Sequence, residues 1–354
     1  MKTERNSNIE LLRIFSMFMI FAGHFIGQNW LWAEDRFLLV FLRSGLRIAC
    51  NVFLIISAWF LVEQKFRAHR ILSLYGQLVF YSWLLTMVSL VFFRDFVTVK
   101  TVAQGFLPFI GRALWFASAY ITLLLFAPLL NEILKWEKKK LRLLVFLLFY
   151  FVSLVSTIPD LQVAYVCDSL WCEVVYLIIG YLKKYPIRLK IRNGWRLGIA
   201  LFLYLAIVTV RYLHVAGAAL PEIVVFVADQ YVQDIKTIPN FMIALCLVFF
   251  VLNLRPRRWK LVNTISGPVF AVYLFHQVPA FFPLLWKYCF HRENPGVWYV
   301  LWAFLCVYLV VTVLEYLRKK VLEPIFLRCW LVRKAEESLE QLYQSVDGTD
   351  RDSE

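Results

Sequence analysis

Apolar residues in this chain gather into ten long runs separated by short polar connections. The runs fall near residues 9–28, 37–62, 71–93, 113–134, 143–158, 169–182, 197–214, 237–254, 262–286 and 297–317. All are too long for β-strands, and most approach the roughly 20 residues that a helix needs to cross a bilayer core. The pattern predicts an all-α fold, a polytopic integral membrane bundle of about ten transmembrane helices. The first run carries Arg13 and His24 and lacks a small-residue cleavage pattern, so it reads as a retained helix. Residues 96–111 and 215–235 fit less simply. Counting the second as a span would place Arg255, Arg257 and Arg258 outside, so both read as outer loops or re-entrant pieces.

Charge sets the orientation. With the N-terminus inside, alternating spans put Lys65, Arg67 and Arg70, the 135–142 run, the 183–196 run and the 255–260 run on one side, as cytoplasmic loops require. The other side receives Glu34, Asp35, Asp95, Asp160, Asp168, Glu222, Asp229, Asp234 and Glu293. The prediction is N-in and C-in, with an integral membrane unit over 1–330 and a charged cytoplasmic tail over 331–354. Within that tail, residues 334–344 read as an amphipathic helix on the inner leaflet. Trp30, Trp32, Trp136, Trp195, Trp259 and Trp298 fall near the interfaces, where amphipathic rings settle.

Composition removes the other classes. The chain is 61% hydrophobic and 18% charged, against about 45–50% and 25% for soluble domains, so a soluble enzyme is excluded. The net charge of +14 sits in short loops rather than on a soluble face, which speaks for a membrane lipid surface and against nucleic acid. The seven cysteines show no C-x-x-C and no metal spacing. A disulfide among Cys167, Cys172 and Cys289 stays open.

An ionisable side chain at the centre of a span costs roughly 2.5–3.5 kcal/mol on insertion scales. Arg13 and His24 are eleven positions apart, about three turns and 16 Å of rise, so they share one face of the first helix. The structural reading makes Arg13 a snorkelling anchor beside Glu10 and His24 a helix-end histidine; their common face favours a site. Asn51 and Ser57 in the second run are polar and suit helix–helix bonding. Arg47, near the outer end, has Asp168, Glu173 or an anionic acceptor group as alternative partners. Arg67 and Arg70 lie three apart and can fork phosphate oxygens, or serve only as a topology signal. His276 in the ninth run is a second intramembrane histidine, structural or catalytic.

Together these residues resemble the acyltransferase 3 family of integral membrane O-acyltransferases. The resemblance rests on Arg13-x10-His24 after the run Asn8 to Leu12, on Asn51, Phe53 and Ser57-Ala58-Trp59, on Arg67-x-x-Arg70, on Tyr273-Leu274-x-His276 and on Trp115. Ala58 stands where relatives carry glycine, and Tyr120 where many carry glutamate, so no glutamate role transfers. The resemblance implies acyl transfer, most simply acetyl, from cytoplasmic acetyl-CoA to a hydroxyl of a cell-surface polysaccharide or lipid-linked glycan, in the plasma membrane and without a metal. It places His24 as general base or acyl carrier, Arg13 and His276 beside it, and Arg67, Arg70 and Arg13 on the acyl-CoA. The residues alone leave an alternative open, a transporter or flippase for a lipid-linked sugar or small solute.

Overall fold

The computed structural model describes residues 5–29, 37–62, 64–109, 114–158, 167–186, 191–292 and 296–347. Among the described residues the chain is helical and contains no strand. The elements are α1 (Ser7–Gln28), α2 (Phe37–Ser44), α3 (Leu46–Leu61), α4 (Ala68–Phe92), α5 (Val99–Phe106), α6 (Trp115–Leu134), α7 (Lys138–Phe149), α8 (Val155–Thr157) and α9 (Asp168–Lys184). They continue with α10 (Asn193–Val215), α11 (Glu222–Gln233), α12 (Ile238–Leu252), α13 (Lys260–Ile265), α14 (Val269–Gln277), α15 (Val297–Leu317), α16 (Glu323–Arg328) and α17 (Trp330–Asp347). Trp30, Trp32, Glu34, Asp35, Asp160 and Glu293, which the charge and aromatic patterns assign to loops, lie outside the described residues.

Among the described residues each of the ten apolar runs is largely helical, and six form helices long and apolar enough to cross a membrane. A seventh arises if α11 and α12, bent by 52°, count as one broken span. The other three runs are short or interrupted. A π-helical stretch, Tyr150–Leu154, separates α7 from α8, and α9 has 17 residues. The 262–286 run is cut twice. Ser266-Gly267-Pro268 parts α13 from α14, and Pro279 forces Val278 into an extended conformation that ends α14 just after His276.

The centre of the bundle is α1 and α3. α1 packs against α2, α3, α12, α14 and α15, and α3 also meets α9 and α12. Gly23 permits the α1–α3 approach: a Cβ there would lie 2.7 Å from the Leu46 Cβ, so any side chain would push away the helix that carries His24. Buried Asn51 donates from Nδ2 to the Ile235 carbonyl at 2.8 Å and accepts from Trp171 Nε1 at 2.8 Å. It clamps α3 to α9 and to the α11–α12 turn, which is the structural reading of that residue. By contrast Phe202 on α10 and Leu309 on α15 are exposed, as lipid-facing side chains are.

The start of α1 is tied to the loop before α13. Ser7 N donates to the Arg257 carbonyl at 2.8 Å, Asn8 Nδ2 to the Arg255 carbonyl at 3.0 Å, and Trp259 N to Ser7 Oγ at 2.6 Å. The far C-terminal segment is a docked helix rather than a loose extension. In α17, Glu340 accepts from the Ala68 amide at 2.7 Å, the Tyr343 hydroxyl donates to the Leu125 carbonyl at 2.7 Å, and its ring stacks on Phe66 at 3.9 Å. All seven cysteines are free thiols.

Candidate active site

Spacings of four, three and four residues bring Arg13, Met17, Ile20 and His24 onto one stripe of α1, and all four line a cavity of about 260 Å³. Its other walls come from α3 (Arg47, Cys50, Phe53, Ser57), α6 (Trp115, Phe116, Tyr120) and the broken α13–α14 segment (Ser266, Gly267, Phe270, Tyr273). Ser266 and Gly267 of the break between α13 and α14 line the cavity, as non-helical backbone inside a membrane protein is expected to do.

Arg13 and Arg5 occupy one end. Arg13 Nη1 donates to Glu10 Oε1 at 2.9 Å, so the anchoring pair is present, while the guanidinium retains further donors toward the cavity. His24 lies about three turns further along α1. Because Leu46 packs on Gly23, the next residue, Arg47, enters the cavity at the level of His24. Arg47 does not meet Asp168, which pairs instead with Lys236 at 3.0 Å. Its guanidinium lies 5.6 Å from the centroid of the Trp115 ring.

His276 sits behind His24. Its Nε2 is 3.1 Å from His24 Nδ1, and its Nδ1 is 2.6 Å from the Val272 carbonyl, one turn back on α14. A carbonyl only accepts, so His276 Nδ1 carries a proton. With both rings neutral, His276 Nε2 then accepts from His24 Nδ1–H, and the lone pair of His24 is on Nε2. His276 is fully buried and does not line the cavity. Phe21 and Trp286 meet its ring edge to face at 5.4 and 6.1 Å, and Trp286 Nε1 donates to its carbonyl at 3.3 Å.

Arg67 and Arg70 are placed differently. Arg67 is the N-cap of α4, with an extended backbone (φ −147°, ψ 103°), and its carbonyl accepts from the Arg70 amide at 3.1 Å, so the two residues bound the first turn without the side-chain alignment of two helical residues. Arg70 Nη1 donates to Gln64 at 2.7 Å. Both line a small separate pocket with Phe66 and Leu124. Leu74, one turn beyond Arg70 on α4, lines the His24 cavity, so the two pockets adjoin along this helix. Tyr120 does enter the main cavity, at the position where many relatives carry glutamate. Sequence reasoning missed Arg5, because a cation just before an apolar run reads as an ordinary inside charge. It also missed the Val272 carbonyl, which no side-chain pattern marks.

The fold and this cavity define a multi-pass helical membrane protein with imidazole and guanidinium groups gathered inside the bundle. The family model described as an acyltransferase domain, Acyl_transf_3, matches residues 6–316. The chain belongs to the acyltransferase 3 family and is a membrane acyltransferase. The match takes in α1 to nearly all of α15, including all five candidate residues, and stops before α16 and α17. No curated protein and no solved structure matches the chain.

Proposed function

We propose that the protein transfers an acetyl group from cytoplasmic acetyl-CoA to a hydroxyl of a cell-surface polysaccharide or lipid-linked glycan. The observation that carries this reading is the relay from the Val272 carbonyl through His276 to His24, which leaves an imidazole lone pair for a cavity that also holds Arg13. In the step proposed, His24 Nε2 takes the proton of the acceptor hydroxyl as its oxygen attacks the thioester carbonyl. The C–S bond then breaks, and the imidazolium returns the proton to the leaving CoA thiolate. The sum is one ester and one free thiol.

A cavity of about 260 Å³ is small beside the roughly 300–1,000 Å³ of sites that enclose drug-sized ligands. Only the reacting ends, thioester and acceptor hydroxyl, would therefore enter. The CoA nucleotide stays at the basic face, where Arg67, Arg70 and Arg13 are suited to its phosphates. Exclusion of water from the narrow part would limit thioester hydrolysis.

The orientation that serves this chemistry is N-in and C-in, with ten membrane passages in the plasma membrane and the 331–354 segment cytoplasmic. Its support is the one-sided distribution of basic loops. The test is acceptor-dependent release of CoA thiol by purified protein supplied with acetyl-CoA, together with an acetyl ester found by NMR on the glycan. A transporter would release no thiol.

A further inference from the structure

We infer that Arg47 forms an anion subsite on the acceptor side of the His24 cavity, so that the acceptor carries a phosphate or carboxylate close to the hydroxyl that is acylated. The inference rests on the acyl-transfer reading for the word acceptor, but the anion site itself stands on geometry.

A guanidinium within a membrane helix demands compensation. Among the described residues no carboxylate pairs with Arg47, neither Glu173 nor Asp168, and Asp168 is taken by Lys236. Three guanidinium groups, Arg5, Arg13 and Arg47, line the cavity against one carboxylate, Glu10. That carboxylate is engaged by Arg13 at the opposite end. A confined space with this excess of positive charge selects an anionic occupant.

Trp115 supplies the mount. With the guanidinium over the indole face at 5.6 Å, its in-plane N–H groups remain available to fork two oxygens of one anion. The level along the cavity separates this subsite from the donor's phosphates. Arg13 and Arg5 mark the basic end, whereas Arg47 stands beside His24, about 16 Å further on by helix rise. An anion on Arg47 therefore belongs to the second substrate.

The test uses the full chain in dodecyl maltoside, with CoA at saturation to fill the donor end. Thermal midpoints are followed against glucose, glucuronate and glucose 1-phosphate. The two anions should stabilise the parent and glucose should not. Whichever anion binds tighter identifies the acceptor group as carboxylate or phosphate. Arg47→Gln should raise the apparent Kd of that anion at least about tenfold, the loss expected of a charge-assisted bond. Arg47→Lys should fall between the two, and it carries the test if the Gln variant does not elute as a monodisperse peak. Equal midpoints with glucose and with the anions, or equal anion affinity in parent and variants, would overturn the subsite. So would an Arg47→Gln protein that binds both anions normally yet transfers slowly, since Arg47 would then serve the reacting oxyanion. Absence of thiol release in the parent sinks the acyl-transfer reading instead, and leaves the binding result to decide the anion site.

Discussion

His24 Nδ1 lies 3.1 Å from His276 Nε2, across 252 residues of sequence. One imidazole faces the cavity and the other does not. The outer ring is held in one tautomer by the inner ring, and the inner ring by a backbone carbonyl that cannot donate. In the mechanism proposed, His24 is the reacting group and His276 the group that positions it.

That division predicts unequal substitutions at His276. Gln can accept the His24 Nδ1–H bond, so His276→Gln should keep much of the transfer rate. His276→Ala removes the bond and should lower kcat by about 10²-fold or more, with KM for acetyl-CoA nearly unchanged, as when an orienting group is lost. Steady-state kinetics on monodisperse protein checks this. A rise in KM at constant kcat would move His276 out of the relay.

Arg67→Ala with Arg70→Ala should weaken acetyl-CoA binding by about 10- to 100-fold or more, since each charge-assisted bond contributes roughly 1.5–3 kcal/mol. Lys should substitute poorly, because a point charge lacks the planar fork. Titration calorimetry with CoA reads the effect. Unchanged affinity would reduce the pair to a charge signal in a loop, with Arg70 merely tied to Gln64.

The C-terminal helix should matter for the same loop. Glu340 accepts from the first amide of α4, next to Arg67, and Tyr343 stacks on Phe66. Glu340→Ala removes a helix cap and should destabilise by about 1 kcal/mol. Deleting residues 330–354 should also raise KM for acetyl-CoA, because Phe66 and Arg67 lose their support. A truncated protein with parent KM and parent thermal midpoint would show α17 to be dispensable.

Asn51→Leu should destabilise by about 1–3 kcal/mol, since it strands the Trp171 indole N–H and the Ile235 carbonyl in a buried setting. The thermal midpoint should fall. A midpoint equal to the parent's would mean that neighbouring groups or water replace the clamp.

Much of this was legible beforehand. Helical class followed from run length, and the shared face of Arg13 and His24 from a period of 3.6 residues. The Glu10–Arg13 pair followed from spacing. The contact between His24 and His276 did not, because a period defines a face and never names the partner. Their intramembrane positions single out both histidines, but not that one lies behind the other. Arg67 and Arg70 suggest a helical pair by spacing; the extended backbone at Arg67 shows that an i, i+3 rule holds only once the helix has started. Residues 334–344 have an amphipathic pattern that reads alike whether the apolar face meets lipid or protein, so the docking of α17 was hidden. The broken 262–286 run was foreshadowed by Pro268 and Pro279, yet hydropathy averages over such breaks.

In the mechanism proposed, His24 carries the proton in acyl transfer. The most direct measurement is acceptor-dependent CoA release from acetyl-CoA by His24→Ala protein, shown by titration to bind CoA as the parent does. The expected result is a loss of about 10²–10⁴-fold with donor affinity intact, because His24 lines the main cavity whereas Arg67 and Arg70, proposed to hold the donor's phosphates, line a separate pocket. A His24→Ala protein that acetylates its glycan at the parent rate would contradict it.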